Sequence, residues 1–415
     1  MEPSVSTRLC AFFFFNAGTL FALIETMDWP RTPVERIPAK RFIPPFCPWE
    51  ICRSHQGTSF RAVRYGSYRR QCDRRTIPRF RCQTCLRTFS QQTFTCTYYL
   101  KKPKLLVQVA AALVASCAAR QIARTLDCSH TTVVHQANRI GRHALLLEAR
   151  AGECSGPMRE TVVLDHAESF QFCQEMPLGI GTVVGRDSLY TYGLDPVPHR
   201  LGGERSPGRV KRLKSLQKRY GTFPSDSYLR STSRILARLL SRMPEGEQLH
   251  LITDGKPDYQ AAAASHIDAG RLLHQIHPNP PRRRKHEPRG RHAVARDRAM
   301  YPVDLLHKLM RHSNANHKRE TLAFGRRANA ILLRDYAFTA WRNFGKDVSE
   351  RCPQNRSPGM RIGLTDRIWS WKEILGRRLF PWRAELAAMD RKLYSMGLIT
   401  KAVGRNRRHD LINAF

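Results

Sequence analysis

Acidic residues are scarce in this sequence. Its 415 residues include 34 Asp and Glu against 70 Lys and Arg, so the formal net charge at pH 7 is +36. An imbalance of this size points to a polyanionic partner, and nucleic acid is the simplest one. The basic residues are spread over most of the chain instead of gathering on one amphipathic helix, which argues against an acidic membrane surface as the partner.

Cysteine is also sparse. Twelve Cys in 415 residues are too few for a disulfide scaffold, and four of them fall into the spacing of metal ligands. This usage fits a reducing cytosol. We therefore predict a cytoplasmic protein that associates with the nucleoid when it is bound to DNA.

Apolar runs long enough to cross a membrane are missing. The run from Leu9 to Ile24 has 16 residues, is interrupted by Asn16 and has little positive charge ahead of it. It is short for a membrane span and weak as a signal peptide. We interpret residues 1–40 as an extended or disordered leader, with Met27 as a candidate start, and we expect no membrane partner.

The hydrophobic content of 41% is enough for a buried core, and the length allows two or three domains. Four cysteines stand in the pattern C-x4-C, 29 residues, C-x2-C, and they are Cys47, Cys52, Cys82 and Cys85. Two tight turns of this kind supply the converging thiolates of a tetrahedral structural zinc site. The alternatives are unrelated free thiols, or Cys72 as a competing fourth ligand.

A helical pattern follows the cysteines and contains a short break at Asp127–Ser129, where Ser129 is a suitable N-cap for the next helix. Two helices joined in this way predict a helix-turn-helix that presents its second helix to the major groove of DNA. The alternative is an ordinary helical hairpin with solvated charges. The candidate DNA contacts are Arg120, Gln121, His130, Thr131, Thr132, His135 and Arg139, together with Arg282, Arg283 and Arg284 in a basic insert.

Carboxylates that end apolar strands stand out in so basic a chain. Asp165 closes "TVVLD", and Asp254 closes "LHLITD" and is followed by Gly255, which allows a sharp exit. Two adjacent strands that each end in Asp can hold Mg²⁺ (or Mn²⁺), because this hard cation binds carboxylates, phosphate oxygens and water. A later helical window offers Asp304 and Glu320 as candidates for a third carboxylate.

The order of these segments resembles the DDE transposases of bacterial insertion sequences, in the group that carries a zinc ribbon and a helix-turn-helix. "RFRCQTCLRTFS" is similar to the end of that ribbon, and "TDGKPDY" is similar to the strand exit of the family. The likeness covers roughly residues 46–346. It implies a catalytic domain with the RNase H-like fold and a mixed central sheet.

The third motif of the family has an acidic residue, Asn three positions later and Arg seven positions later, with a "lsFs"-like stretch about twenty residues after the acid. Asp304, His307, Arg311 and the stretch around Phe324 match this spacing, with Asp in place of the usual Glu and His in place of Asn. Glu320 keeps the usual Glu but lies 16 residues later. The resemblance thus favours Asp165, Asp254 and Asp304 as the catalytic carboxylates and leaves Glu320 as the rival third acid.

The resemblance implies a Mg²⁺-dependent enzyme. In such an enzyme, a metal-held water cuts a phosphodiester at the element's end, and the freed 3′-hydroxyl then attacks target DNA. Its partners would be double-stranded DNA, both the element's ends and the target, and at least one further copy of the chain. The competing hypotheses are a catalytically inactive DNA-binding protein derived from a transposase and a structure-specific nuclease.

Together these patterns predict a multidomain α+β protein. The expected segments are a leader (1–40), a zinc ribbon (41–98), a helix-turn-helix domain (99–150), a catalytic domain with basic inserts (158–345) and a basic C-terminal tail (346–415).

Overall fold

The computed structural model describes residues 42–56, 60–200, 202–281, 284, 286–318 and 321–398. The predicted leader, Arg282, Arg283 and Glu320 lie outside the described residues, as does the end of the predicted tail. Within the described ranges the chain has a three-stranded sheet, a five-stranded mixed sheet and a series of α-helices. The mixed α+β class expected from the sequence is therefore confirmed.

The three-stranded sheet is antiparallel and consists of β1 (Ala62–Arg69), β2 (Thr76–Cys82) and β3 (Thr88–Ser90), with β2 in the middle. Short 3-10 turns flank it at Arg53–His55 and Gln91–Phe94. The apolar side chains of this module cluster around the four cysteines that the sequence singled out. The aromatic members of the cluster are Phe46, Phe80, Phe89, Phe94 and Phe380.

Three helices follow: α1 (Leu105–Val114), α2 (Ala119–Thr125) and α3 (His130–Cys154). The break between α2 and α3 lies where the sequence predicts it. Ser129 caps α3 by accepting a hydrogen bond from the backbone N–H of Thr132 at 3.2 Å. Such a cap satisfies an amide that has no partner within the helix.

The five-stranded sheet has the order β6-β5-β4-β7-β8. Its strands are β4 (Val162–Phe170), β5 (Pro177–Gly185), β6 (Thr191–Pro198), β7 (Leu249–Thr253) and β8 (Leu272–Ile276). Strands β4 to β6 form an antiparallel meander, whereas β7 runs parallel to β4 and β8 runs parallel to β7. Between these strands lie the helices α4 (Pro207–Tyr220), α5 (Ser227–Leu240) and α6 (Pro257–Asp268).

The remaining helices follow β8. They are α7 (Arg291–Ala299), α8 (Tyr301–Ser313), α9 (Ala328–Ala340), α10 (Pro358–Arg361), α11 (Trp371–Ile374) and α12 (Ala388–Tyr394), with short turns at Ala315–His317, Trp341–Gly345 and Pro381–Arg383. Helix α9 packs against α3, and α8 packs against β4 and β5. None of the helices in the described part of the chain has the length and apolar character that a membrane span requires.

Residues 346–398, which the sequence analysis assigns to a basic tail, contribute side chains to two hydrophobic cores. Trp369 and Leu375 are buried in the large core that contains α3 and α9. Phe380 lies in the core of the three-stranded module, and the Arg383 guanidinium lies 4.1 Å from the centre of the Phe46 ring. Their apolar side chains therefore join the cysteine module to the rest of the protein.

Candidate functional site

Four cysteines converge in the three-stranded module. Cys47 and Cys52 lie in the turn before Arg53–His55, Cys82 ends β2, and Cys85 lies in the turn that leads to β3. The Cys47 and Cys85 sulfurs are 3.6 Å apart, the Cys52 and Cys82 sulfurs are 3.9 Å apart, and all four sulfurs lie within 4.8 Å of one another. The four predicted thiols can thus hold one metal ion.

The surroundings of the thiols explain why they need a cation. Burial raises the pKa of the Cys47 thiol well above its ordinary value, and it also raises the pKa of Cys85. Burial opposes ionisation of Cys82 as well, but backbone N–H groups of Cys85 and Thr84 outweigh it and lower the pKa of that thiol. A bound cation would favour the thiolate at all of these positions.

Cys72 and Cys96, the cysteines nearest to this set in the sequence, do not belong to it. Cys72 is exposed, in the connection between β1 and β2. Cys96 is buried away from the cluster, with its sulfur 3.4 Å from Nδ1 of His143. The structure thus places Cys72, the competing fourth ligand, outside the set of four thiols.

Asp165 and Asp254 lie side by side on the larger sheet. In the parallel pairing of β4 with β7, Val162 lies opposite Leu251 and Val163 lies opposite Ile252. The same register brings Asp165 level with Asp254, which directly follows β7. Asp165 is not at a strand end, contrary to the sequence interpretation, because β4 continues to Phe170 in its pairing with β5.

Asp304 reaches the same region from the first turn of α8. The pKa of Asp165 is raised to about 6, first by burial and then by the negative charges of Asp254 and Asp304. Hydrogen bonds from the backbone N–H of His166, at 2.8 Å, and from the Tyr259 hydroxyl, at 3.2 Å, partly oppose this rise. Three carboxylates thus share one electrostatic environment, with Asp165 at its centre.

The aspartates are less tightly gathered than the thiols. Among the described residues, the four cysteines are the one set of at least three metal-ligand side chains with all donor atoms within 4.8 Å. Asp254 accepts a hydrogen bond from the Asn279 side chain at 2.8 Å, and Asp304 forms an ion pair with Arg296 at 2.5 Å. A cation shared by all three would have to compete with these partners.

His307, one turn after Asp304, is buried between Asp165 and Thr182. The Thr182 hydroxyl donates to the backbone carbonyl of Asp165 at 3.0 Å, so it accepts from Nε2–H of His307 at 2.7 Å. Nδ1 of His307 then faces the Asp165 carboxylate at 3.8 Å. Burial, with a contribution from Arg311, lowers the pKa of His307 to about 3, so the ring is neutral and holds α8 against β4 and β5.

A chain of polar side chains supports Asp165 from behind. Tyr259 donates its hydroxyl proton to Asp165, so it accepts from Nδ1 of His166 at 2.8 Å. Nε2 of His166 then accepts from the Ser231 hydroxyl at 3.2 Å. The sequence showed His166 beside Asp165 and Tyr259 in "TDGKPDY", but nothing in it indicated that Ser231 of α5 would complete the chain.

Lys256 is a second residue that the sequence did not single out. Its ammonium lies 2.9 Å from the centre of the Tyr228 ring. Burial lowers the pKa of Lys256, while the carboxylates of Glu168, Asp258, Asp254 and Asp165 act in the opposite direction. The Lys256 ammonium therefore lies within electrostatic range of both aspartates.

The predicted DNA contacts fall into two groups. Arg120, together with Arg124, His130 and Lys102, lines an open hollow at the turn between α2 and α3. His130, Thr131 and His135 are exposed on α3, and Thr132 is half-buried. These positions are accessible to a large partner.

Two predicted contacts have local structural roles instead. The side-chain oxygen of Gln121 accepts from the backbone N–H of Ala118 at 2.9 Å, at the start of α2. The Arg139 guanidinium donates to the carbonyls of Cys96 and Tyr98 at 3.0 and 2.6 Å, and burial lowers the pKa of Arg139 to about 9. Arg139 is therefore a poor candidate for a phosphate contact. Arg284, in the basic insert, is exposed.

No protein-family model matches this chain, and no curated protein matches it.

Proposed function

We propose that this protein is a DDE-type transposase that binds the ends of its insertion element and catalyses Mg²⁺-dependent cleavage and strand transfer of DNA. The proposal rests on the observation that the three candidate carboxylates lie in one region at the larger sheet and that two of them influence the pKa of the third. The β4–β7 register brings Asp165 level with Asp254, and the charge of Asp304, on α8, acts on Asp165.

The topology of the larger sheet supports an RNase H-like catalytic domain. Three antiparallel strands are followed by two strands parallel to the first, with a helix between β7 and β8. Asp165 lies on the central strand of this mixed sheet and Asp254 directly after its parallel neighbour. This is the placement that the family resemblance implies for the first two carboxylates.

A divalent cation fits the chemistry of these residues, because burial and the negative charges of Asp254 and Asp304 already disfavour the ionised form of Asp165. Asp165 and Asp254 would hold it, with Asp304 as the third carboxylate. Bound there, Mg²⁺ would supply Lewis-acid activation for phosphoryl transfer. The chain's own contribution is positional, since Tyr259 and the backbone of His166 orient Asp165.

The four-cysteine set supports a structural zinc ion. Tetrahedral coordination with zinc–sulfur bonds near 2.3 Å places neighbouring sulfurs about 3.8 Å apart. The sulfur pairs at 3.6 and 3.9 Å have this spacing already. All four positions of such an ion would be occupied by protein, so we assign it a structural role in a zinc ribbon.

DNA binding is assigned to α2 and α3, as a helix-turn-helix. The capped turn, the exposed residues of α3 and the basic hollow at Arg120 support this assignment. The excess of positive charge over the whole chain supports binding to a polyanion.

The second candidate is a catalytically inactive DNA-binding protein derived from a transposase. The ion pair between Asp304 and Arg296 favours it, because a carboxylate held by a guanidinium is less available to a metal ion. Both candidates predict DNA binding, and they differ in cleavage.

Strand cleavage and strand transfer should be measured with Mg²⁺ on a supercoiled plasmid that carries the element's ends. We expect activity for the wild type and a loss of at least about 100-fold for Asp254→Asn, because a metal-ligating carboxylate contributes several kcal/mol to lowering the barrier. Asp226→Asn is the matched control, since Asp226 forms a solvent-accessible ion pair with Arg230 and is not one of the three candidate carboxylates. Wild-type binding without cleavage would favour the inactive protein, and full activity of Asp254→Asn would refute the metal site.

A further inference from the structure

Strands β1 and β2 form an antiparallel pair, residues 62–82, which we call the arm. One of its two strands, β1, is exposed. Every residue of β1 after Ala62 is exposed, so neither of its faces is covered by another layer. β1 is also the edge strand of its sheet. An edge strand without a covering layer is unusual unless its charge or a partner protects it.

The arm carries an excess of positive charge. It contains seven arginines and one acidic residue, Asp73, which forms an ion pair with Arg70. In the part of the chain that the structure describes, the other six arginines form no ion pair with a carboxylate. They are Arg64, Arg69, Arg74, Arg75, Arg79 and Arg81. Repulsion among them disfavours the free arm, and a polyanion would remove this repulsion.

Tyr65 lies at the middle of the arm, at a β-bulge. The pairing shifts between Arg64 and Ser67, and Gly66 has a φ of 78°, which a residue with a side chain adopts only with strain. The guanidinium carbons of Arg79 and Arg81 lie 5.9 and 5.2 Å from the centre of the Tyr65 ring. Stacked guanidiniums leave the ring less free to stack a base, which argues against a single strand as the partner.

The base of the arm is anchored in the cysteine module. Phe80 and Cys82 of β2 are buried in its core, whereas Arg81, between them, is exposed. The alternation along β2 therefore separates an anchored face from a basic one. An arm held in this way presents its arginines in a defined geometry.

We propose that this arm enters a groove of duplex DNA as a two-stranded ribbon, with its arginines on the flanking phosphates. It would be a DNA-binding element separate from α2 and α3. A two-stranded β-ribbon fits the major groove, and arginines fix such an element by phosphate contacts. The inference rests on the proposed function for the nature of the partner, DNA, and adds the surface that binds it.

The salt dependence of binding tests the arm. The triple variant Arg64→Gln, Arg69→Gln, Arg81→Gln removes three charges from exposed side chains. If all three contact phosphates, the slope of log K against log salt falls by about 2.7 on a fluorescent mixed-sequence duplex, and affinity near 0.15 M salt falls by about 100-fold.

The matched control is Arg159→Gln, Arg230→Gln, Arg367→Gln. It removes the same charge from the exposed Arg159 and Arg230 and from the half-buried Arg367, which already pair with Glu247, Asp226 and Glu373. We expect its slope to change by less than about 1, because it alters the long-range field and no phosphate contact. Equal effects of the two triple variants would overturn the proposal, and so would tighter wild-type binding to the single strand than to the duplex.

A second measurement locates the arm relative to DNA without changing its arginines. Cys72, in the turn of the arm, is exposed, and Cys352, far from it in the chain, is also exposed. An iron chelate attached to the zinc-loaded protein should cut duplex DNA at sites that disappear in Cys72→Ser and persist in Cys352→Ser. Identical cutting by Cys72→Ser and wild type would place the arm away from DNA.

The outcomes separate this inference from the proposed function. Cleavage of element ends by an arm variant that binds as well as wild type would refute the arm and leave the transposase proposal standing. A wild type that binds DNA through the arm but never cleaves would refute the transposase proposal and leave the arm proposal standing. Absence of any duplex binding by the wild type would refute both.

Discussion

Replacing one cysteine of the four-cysteine set should abolish the metal binding that we propose for it. Cys82 is fully buried at the end of β2, and the backbone N–H of Thr84 donates to its sulfur at 3.4 Å. Serine retains a hydrogen-bonding oxygen but offers zinc a poor ligand. We therefore expect wild type to carry one zinc ion per chain and Cys82→Ser to carry little.

The free energy of zinc binding is large relative to the size of the three-stranded module. Structural zinc contributes about 10–16 kcal/mol of apparent binding free energy at neutral pH in small zinc domains. Here the thiols share a core with Phe46, Phe94 and Phe380, the last of which comes from the C-terminal segment. Loss of zinc should therefore loosen that segment as well as the three-stranded sheet.

The pH dependence follows from the pKa directions of two thiols. Burial raises the pKa of both Cys47 and Cys85, so both are protonated at pH 7 in metal-free protein. Zinc binding must then release at least two protons. The apparent zinc affinity should fall at least about 100-fold for each unit below pH 7, or about 2.7 kcal/mol per unit.

Zinc content after gel filtration and zinc transfer to a chromogenic chelator at several pH values are the measurements. Cys72→Ser is the matched control, because Cys72 belongs to the same module but is exposed and outside the set. Unchanged zinc content in Cys82→Ser would refute the site, and equal loss in Cys72→Ser would restore Cys72 as a ligand. A fall in affinity of less than about tenfold per pH unit would contradict two neutral buried thiols.

Three further predictions concern other parts of the chain. Lys256→Ala should lower strand transfer by about 10- to 100-fold, with Lys256→Arg partly active, since the Lys256 ammonium interacts electrostatically with Asp165 and Asp254. Equal activity of all three proteins in a plasmid assay would exclude a role in binding phosphate. Burial raises the pKa of Glu148 to about 8 despite hydrogen bonds from Tyr190 and Asn343, so its proton stabilises the fold fully below pH 4.5, and this contribution is lost as pH rises through about 8. Thermal unfolding of Glu148→Gln should then show a weaker loss of stability between pH 5 and 8 than wild type, and parallel pH curves would contradict a buried neutral carboxyl. Arg139→Ala should destabilise the protein by about 2–3 kcal/mol in urea unfolding, because two carbonyls lose a charged donor. The DNA affinity of the folded protein should stay within about threefold of wild type. A larger loss of affinity would show that Arg139 contacts DNA.

The thiols were predictable because their geometry is local. Two short spacers each hold a pair of cysteines in one turn, and few arrangements of two such turns satisfy a metal. Ser129 was predictable for the same reason, since a cap acts on an amide three residues away. In both cases the partners are close in sequence.

The aspartates were only partly predictable. Polarity at the end of an apolar run pointed to Asp165 and Asp254, but the sequence placed Asp165 at a strand end, whereas β4 continues past it. Asp165 lies level with Asp254 because of the register of β4 with β7. In the sequence, these two strands are separated by two other strands and two helices. No local pattern specifies such a register.

Other features depend wholly on packing between distant segments. Ser231 meets His166 because α5 lies against the sheet, and Arg139 turns inward because the carbonyls of Cys96 and Tyr98 lie within its reach. Phe380 enters the cysteine core from the far end of the chain. Composition and spacing establish the basic character, the four-thiol set and the candidate acids, because these depend on residue type and near neighbours. The common level of Asp165 and Asp254, the burial of Arg139 and the exposure of the arm arise in the folded chain, because burial and strand pairing are set by residues far apart in sequence.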